Sequence, residues 1–509
     1  MTPTHADAVL LRHRASGRNY ATLLILVVGL MLAVLGGLAA AILPWWLILA
    51  LVIMPVLLIL GISFPEISMV AMFIMICGLV PESLAPQISI GLGVIKAHEI
   101  AILLLAALAF MRALGGAPFK TYGPWFWPVL LFFLLTVTAI VVGKLNGATI
   151  KDALSEGRAS VAWLTLFMVV SLLRTEAQLK RFVGGIVFVG VLVALALIAQ
   201  FATGKSFIQN ARVETLVTVN QANPDIVRSL SGGGIYFVVF SGLLLLGRLM
   251  TRSISTWIAL PLLALLIAGL VVTFGRGVWI ASALAALLMS YRLARLKGVL
   301  GLVATGVASG VVGLALLASF KPAVIEVAMD RVLSTTQETL GHNTSLGWRA
   351  EEARFALKRL ADSPVVGIGM GVAYKPITRM NGVTITESDE VLTRYIHNAY
   401  LGLWLKFGVL GLLAAAWFSW GTVRRGIQVL NQMVDPRYKA LAAASVAAFL
   451  VPLIVSVTQP EWLTQTGITF FALMPALLIC LHRVGAATPA VDGVSGTVVR
   501  PYVARQRFT

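Results

Sequence analysis

Three ionisable side chains of this sequence occupy positions where they could act on a substrate: His397, Arg276 and Arg349. A histidine changes its charge near neutral pH, so it can take a proton as a general base. An arginine guanidinium is planar and permanently charged, and it binds phosphate oxygens through two parallel N–H groups. These residue types therefore indicate a general base and two phosphate-binding cations.

Each of these residues also has an ordinary structural interpretation. His397 stands between a long polar segment and an apolar run, where a histidine is often a hydrogen-bonded structural group. Arg276 lies in a short turn between two apolar runs, from which its side chain can extend into the lipid headgroups. Arg349 can pair at a helix surface with the glutamates that follow it, Glu351 and Glu352.

The composition decides which elements must position these residues. Of 509 residues, 59% are hydrophobic and only 12% are charged. Soluble chains average about 45–50% apolar and about 25% charged residues. The composition excludes a cytosolic enzyme, a disordered scaffold and a small secreted domain. Continuous apolar runs of about 20 residues are typical of membrane-spanning helices, and they lack the alternation of a β-barrel.

The sequence therefore predicts an all-α fold, a polytopic transmembrane helical bundle of about twelve to fourteen spans with one large periplasmic loop containing short helices. The candidate spans lie at 20–43, 44–61, 66–81, 99–112, 124–142, 159–173, 182–201, 232–247, 257–274, 278–291, 299–320, 398–418, 441–457 and 466–481.

The distribution of charge predicts the orientation of these spans. The net charge of +18 comes from lysines and arginines that border the apolar runs, which indicates topology rather than nucleic-acid binding. Most of them fall on one side if both ends are cytoplasmic. The predicted organisation is an N-terminal tail that resembles the start of a signal anchor, eleven helices, a periplasmic loop, three helices and a disordered cytoplasmic tail, at 1–19, 20–320, 321–396, 397–483 and 484–509.

The loop 321–396 is the one sizeable polar insertion. Its residues 348–361 predict an amphipathic helix with Trp348, Phe355 and Leu360 as apolar anchors. The glycine-rich residues 363–371 then end the helix and turn the chain. A solvated cap without catalytic function is the alternative interpretation of this loop.

Metal and thiol chemistry find little support in the sequence. Cys77 and Cys480 lie inside apolar runs, where we expect small core residues. The outward carboxylates are scattered apart from Glu387, Asp389 and Glu390, and we predict no metal site. An enzyme on the outer side of a membrane has no nucleotide donors, so it needs an activated donor within the bilayer, such as a lipid diphosphate.

Three segments in this order resemble the O-antigen ligase and O-antigen polymerase superfamily of bacterial membrane glycosyltransferases. The first is TFGRGVW at 273–279. The second combines GWR at 347–349 with SPVVGIG at 363–369, and the third combines HNAYL at 397–401 with GVLG at 408–411. The similarity covers roughly residues 210–425.

This resemblance implies a metal-independent transferase, without a cofactor, in the bacterial inner membrane. It would take a glycan from undecaprenyl diphosphate on the periplasmic face and transfer it to lipid A-core or to a lipid-linked glycan. His397 would be the base that activates the acceptor hydroxyl. Arg276 and Arg349, with Arg228 as a weaker third candidate, would bind the diphosphate, and the displacement would invert the anomeric carbon.

Several alternatives remain open at this stage. A ligase transfers a finished polymer, whereas an O-antigen or exopolysaccharide polymerase extends one lipid-linked repeat with another. A flippase for the same lipid-linked glycan belongs to a different class, but transporters usually carry paired repeats and midplane charges. Lys406 stands where relatives often have an acidic residue, and its role is undefined.

Overall fold

The computed structural model describes residues 63–80, 87–90, 93–114, 119–208, 213–217, 222–229, 233–333, 345–376 and 393–487. The chain divides into two compact units, Met1–Ser68 and Met69–Thr509. Of the first unit only residues 63–68 are described, so the predicted spans 20–43 and 44–61 and the predicted N-terminal tail lie outside the described residues.

The described chain is almost entirely helical, which confirms the predicted fold class. Fourteen α-helices, numbered here in chain order, are α1 Pro65–Ile76, α2 Ala97–Leu114, α3 Phe126–Leu145, α4 Ile150–Gly157, α5 Leu164–Leu172, α6 Glu176–Thr203, α7 Ile235–Met250, α8 Thr256–Val271, α9 Arg276–Phe320, α10 Val324–Leu333, α11 Ser345–Asp362, α12 Ala399–Gln432, α13 Pro436–Val455 and α14 Gln465–Ala487. Short 3-10 helices occupy Phe119–Trp125, Arg158–Trp163 and Glu461–Leu463.

Two short antiparallel hairpins add the only strands of the described chain. They pair β1 Gln87–Ile90 with β2 Gly93–Lys96, and β3 Val213–Val217 with β4 Ala222–Ser229. The sequence analysis did not predict them because each strand is shorter than the neighbouring apolar runs.

Seven stretches of the described residues are long and apolar enough to cross a membrane. They include α3, α6, α9, α12, α13 and α14, and the seventh combines α4, the following 3-10 helix and α5. The shorter helices α1, α7 and α8 are also apolar. Every predicted span between residues 66 and 481 coincides with helix, and the protein is a multi-pass membrane protein.

Helix α9 folds back on itself, as the two separate predicted spans require. Its regular conformation is interrupted at Ala294 and Arg295, where Arg295 has a φ of 51°. A straight helix would separate residues 290 and 298 by about 12 Å, yet a Cβ added to Gly298 would lie 2.2 Å from the carbonyl oxygen of Ser290. The second half of α9 therefore returns towards the end at which the first half began.

The outer surface of the bundle is apolar. On the second half of α9, Val303, Val307 and Val311 follow one another at helical spacing, and each is more than half exposed. An exposed valine stripe of this kind is disfavoured in water and fits the acyl chains of a bilayer.

Arginines that the sequence predicts on the inward side gather at one end of the bundle. The guanidinium of Arg174 donates to the carbonyl of Arg112 at 3.4 Å. Arg483 donates to the carbonyls of Val170 and Leu173, each at 3.1 Å. Which side of the membrane this end faces stays a prediction.

The second half of the glycine-rich segment 363–371, residues 367–371, is buried between helices. A hydrogen bond from Ile368 N to the carbonyl of Leu405 on α12 measures 2.8 Å, and one from Met370 N to the carbonyl of Ala139 on α3 also measures 2.8 Å. A Cβ on Gly369 would lie 2.2 Å from the backbone nitrogen of Gly143. Only glycine permits this approach of two backbones, so the segment fixes the loop to the bundle.

We predict that Gly369→Ala destabilises the protein more than Gly147→Ala. Both glycines have a positive φ, 84° and 90°, but an added Cβ at Gly147 would meet nothing within 4 Å. Gly147→Ala should lose ~1 kcal/mol from backbone strain, and Gly369→Ala at least ~3 kcal/mol because it also overpacks two backbones. Thermal unfolding of the two variants in detergent measures the difference. Equal melting temperatures would contradict the described insertion.

Candidate functional site

The site is built around the carboxylate of Glu352, in the middle of α11. Its side chain is only 3% exposed, and two cationic or titratable groups bind it. The ammonium of Lys375 lies 2.6 Å from Oε1. Nδ1 of His397 lies 2.9 Å from Oε2, and the backbone N–H of His397 donates to the same oxygen at 3.1 Å. Glu352 therefore holds both the backbone and the ring of His397.

These contacts determine which nitrogen of His397 carries the proton. Burial opposes the charged form of Glu352, but the hydrogen bonds and charges of His397 and Lys375 outweigh burial and hold its pKa below the ordinary value. An ionised carboxylate only accepts hydrogen bonds, so Nδ1 of His397 must donate. In the neutral ring Nε2 then carries the lone pair, and 27% of the side chain is exposed.

Aromatic rings surround this ionic cluster. The Lys375 ammonium lies 4.8 Å from the ring centroid of Trp348 and 5.6 Å from that of Tyr374. Burial raises the pKa of Tyr374, so its phenol stays neutral and donates to the carbonyl of Tyr395 at 2.9 Å. The ring of Tyr395 packs edge-to-face on His397 at 5.0 Å. The Lys375–Glu352 pair is thus shielded from water, and Tyr395 limits the orientations of the imidazole.

Arg349 lies three residues before Glu352 on α11, which confirms the helix predicted at 348–361. Residues three apart occupy the same side of a helix, so Arg349 and Glu352 are neighbours along one stripe. Arg349 is half-buried and has its own contacts. Its suggested surface partner Glu352 is buried and binds Lys375 and His397, so the role of Glu352 is different from the one that the sequence analysis considered.

The residues around Arg276 form a second group. The turn from α8 into α9 contains Phe274, which is buried with an unusual positive φ of 46°. Nε of Arg228, on β4, donates to the carbonyl of Thr273 at 3.0 Å, and Ser229 N donates to that of Val272 at 3.1 Å. The structure thus brings Arg228 to the turn that precedes Arg276.

This turn lies at the end of the bundle where the long loop begins. The ammonium of Lys321, directly after α9, lies 5.4 Å from the ring centroid of Phe201. That ring is 6.4 Å from the ring of Phe274. The fold-back of α9 therefore returns the start of the loop to the neighbourhood of Arg276.

The turn 456–458 after α13 contacts both groups. A Cβ on Gly277 would lie 3.3 Å from Oγ1 of Thr458. Ala399 N, two residues after His397, donates to the carbonyl of Ser456 at 2.8 Å. The structure therefore brings His397 and the helix of Arg349 together around Glu352. It brings Arg228 to the turn 272–277, which contains Arg276. Both groups contact the turn 456–458.

Lys406 has a structural role that the sequence did not define. Its ammonium is buried, with 3% of the side chain exposed, and pairs with Oε2 of Glu156 at 3.0 Å. The same oxygen accepts from Gly371 N at 2.9 Å. Lys406 thus links α12 and α4 to the inserted glycine-rich segment, instead of facing the cluster around Glu352.

Glu352 and Lys375 are the site residues that sequence reasoning missed. The available signal was the position of Glu352, three residues after Arg349 on the amphipathic helix. Lys375 carried no signal, because it lies in irregular chain. Both cysteines are buried free thiols, as expected. Within the described ranges no three His, Cys, Asp or Glu side chains converge on a metal-sized site, and the acidic group at 387–390 lies outside those ranges.

Part of the chain matches a known protein family. A family model described as O-antigen ligase matches residues 261–416, a range that includes Arg276, Arg349, Glu352 and His397. No curated protein matches the chain. The matched segment contains the turn into α9, the whole of α11 and the start of α12. This match supports the resemblance of the chain to the O-antigen ligase superfamily, and it lies within the residues 210–425 over which the sequence predicted it.

Proposed function

We propose that this protein is an O-antigen ligase-like glycosyltransferase of the bacterial inner membrane. It transfers a glycan from undecaprenyl diphosphate to an acceptor hydroxyl on the periplasmic face. The observation that carries the proposal is the 2.9 Å hydrogen bond between Nδ1 of His397 and the buried carboxylate of Glu352. This pair has the arrangement of a general base with the group that orients it.

In this proposal His397 accepts the acceptor's proton while the new bond forms. Nε2 takes the hydroxyl proton as the acceptor oxygen attacks the anomeric carbon of the donor. The bond between that carbon and the diphosphate oxygen breaks, and the diphosphate leaves with the electron pair. The negative charge of Glu352 stabilises the imidazolium that forms, so it acts through His397 as a positioning residue.

In the same proposal the arginines stabilise the leaving group. Charge builds on the departing diphosphate, and guanidinium groups at a partly desolvated membrane edge stabilise that charge more than they would in water. Arg276 and Arg349 are proposed to bind the diphosphate, with Arg228 beside the Arg276 turn as a third candidate. The segments that contain Arg276 and His397 both contact the turn 456–458, which supports a shared site.

We expect His397→Ala to lower glycan transfer by at least about a hundredfold, the usual contribution of general base catalysis. The assay offers purified protein a lipid-linked glycan donor with either lipid A-core or a second lipid-linked glycan. The matched control is His98→Ala, which removes an imidazole that bonds Gln465 at 3.0 Å at the start of another helix. Transfer by His397→Ala at the level of the control would exclude the base role.

The product of the same assay separates the related activities. A glycan on lipid A-core is the product of a ligase and is the outcome we expect. A longer lipid-linked glycan formed without the core would identify a polymerase with the same base. No covalent product in this assay, together with transport of the lipid-linked glycan across the bilayer of proteoliposomes, would identify a flippase and contradict the proposal.

We expect Glu352→Gln to lower kcat about tenfold or more with little change in the KM of the acceptor, since an oriented imidazole acts in the reaction step. A purely structural role through Lys375 is tested by repeating the substitution in a Lys375→Met background. There the lysine no longer needs a partner, so a structural role would make Glu352→Gln harmless. A persistent loss of kcat in the double variant supports positioning of His397.

Arg276→Lys should lower transfer strongly although it keeps the positive charge. A lysine is a point charge and cannot make the two parallel hydrogen bonds of a guanidinium to a diphosphate. Arg292→Lys, at an exposed position on the same helix, is the matched control and should be fully active. If both variants transfer glycan normally, Arg276 only contacts lipid headgroups.

A further inference from the structure

An open cavity lies against α11 next to the cluster around Glu352. Its volume is about 320 Å³, at the lower end of the roughly 300–1,000 Å³ of ligand sites, so it has the size for a sugar unit rather than for an acyl chain. Rings and charged side chains share its wall: Phe355, Lys358, Arg359, Asp362, Tyr374 and Lys375.

An ion pair connects the wall of the cavity to the proposed base. Lys375 lines the cavity, and its ammonium binds Oε1 of the carboxylate whose other oxygen binds His397. His397 itself does not line the cavity, and its imidazole is connected to the cavity wall through this buried ion pair. Tyr374, on the same short segment, also lines the cavity and is largely buried.

The charges of the cavity favour an anion. Three cations line it against a single carboxylate, Asp362. Arg359 pairs with Asp362 only at 3.7 Å, in an exposed contact, and Lys375 is bound by Glu352. Lys358 has no ion-pair partner within the part of the chain that the structure describes, so its ammonium can bind a ligand anion.

The cavity and Arg349 lie at different places along α11. Arg349 precedes Glu352 by about 4.5 Å along the helix axis, and Arg359 follows it by about 10 Å, at ~1.5 Å per residue. A ligand in the cavity and a diphosphate at Arg349 would therefore occupy different parts of the helix.

We propose that this cavity is the acceptor subsite and that it binds an acceptor sugar through a carboxylate or phosphate substituent at Lys358. The proposal rests on the proposed function, since it names the acceptor class of the same site. It adds that neutral sugars are poor acceptors and that the acidic group is recognised by α11.

The test measures binding directly by saturation-transfer NMR on the full-length protein in a nonionic detergent. The probes are methyl β-glucuronide, glucose 6-phosphate and the neutral methyl β-glucoside. We expect ring-proton signals from at least one anionic probe, and about tenfold weaker binding in Lys358→Glu, the loss expected for one charged contact. Arg354→Gln, which removes a positive charge from α11 outside the cavity lining, should bind like the wild type.

The outcomes separate the sources of the anion. Binding of the glucuronide identifies a sugar acid, and binding of glucose 6-phosphate alone identifies a phosphorylated sugar. Equal binding of the neutral glucoside, no binding by any probe, or no effect of Lys358→Glu would overturn the proposal. Displacement of every probe when phosphatidylglycerol replaces phosphatidylcholine in nanodiscs would also overturn it, because the cavity would then hold a lipid headgroup.

The same measurement in His397→Ala separates this proposal from the proposed function. The variant should bind the anionic probe normally and fail to transfer glycan. Normal transfer with intact probe binding would overturn the function and leave a sugar-binding cavity. Transfer that depends on His397 without any probe binding would overturn the cavity alone.

Discussion

A buried carboxylate is the constraint on which the site depends. An ionised glutamate is costly to remove from water unless it is paired and hydrogen-bonded. Glu352 meets this requirement with Lys375 and with the ring and backbone of His397. The same requirement applies to Lys375, because a buried ammonium also needs a partner of opposite charge, which here is Glu352. The ionic cluster therefore joins α11, the segment after the glycine-rich turn and the start of α12 into one unit.

The insertion of the glycine-rich segment makes this unit rigid with respect to the bundle. Backbone atoms of residues 363–371 pair with carbonyls of α3 and α12, which is possible because glycines face glycines at the closest approaches. Gly408, itself outside helical geometry at a φ of 69°, accommodates the carbonyl of Val365. The ion pair of buried Lys406 with the partly exposed Glu156 stabilises the same region. The loop thus behaves as part of the helical core, and α11 cannot move away from His397 without breaking these contacts.

This arrangement gives a physical reason for a division of labour in the proposed reaction. The base and its orienting carboxylate lie on one group of elements, and the turn with Arg276 and Arg228 lies on another. The turn 456–458 contacts both groups, so the end of α13 sets their relative position. A donor lipid entering between the helices would meet the arginines, while an acceptor would approach along α11.

The sequence by itself determined the class of protein, the helices and the identity of the ionisable candidates. Apolar length and low charge leave no other way to satisfy backbone polar groups in a bilayer than helices, so spans such as 182–201 and 257–274 were predictable. The helix of Arg349 was predictable from its amphipathic period. Tertiary structure decided which groups meet: that Glu352 binds His397 instead of Arg349, that Lys375 shares this carboxylate, and that Lys406 pairs with Glu156 from α4. The spacing of apolar residues determines each helix, because a helix depends on residues only a few positions apart. The partner of a buried charge depends on the packing of the whole bundle. Segments far apart in the sequence must first come close, and here they do so where glycines allow two backbones to approach each other.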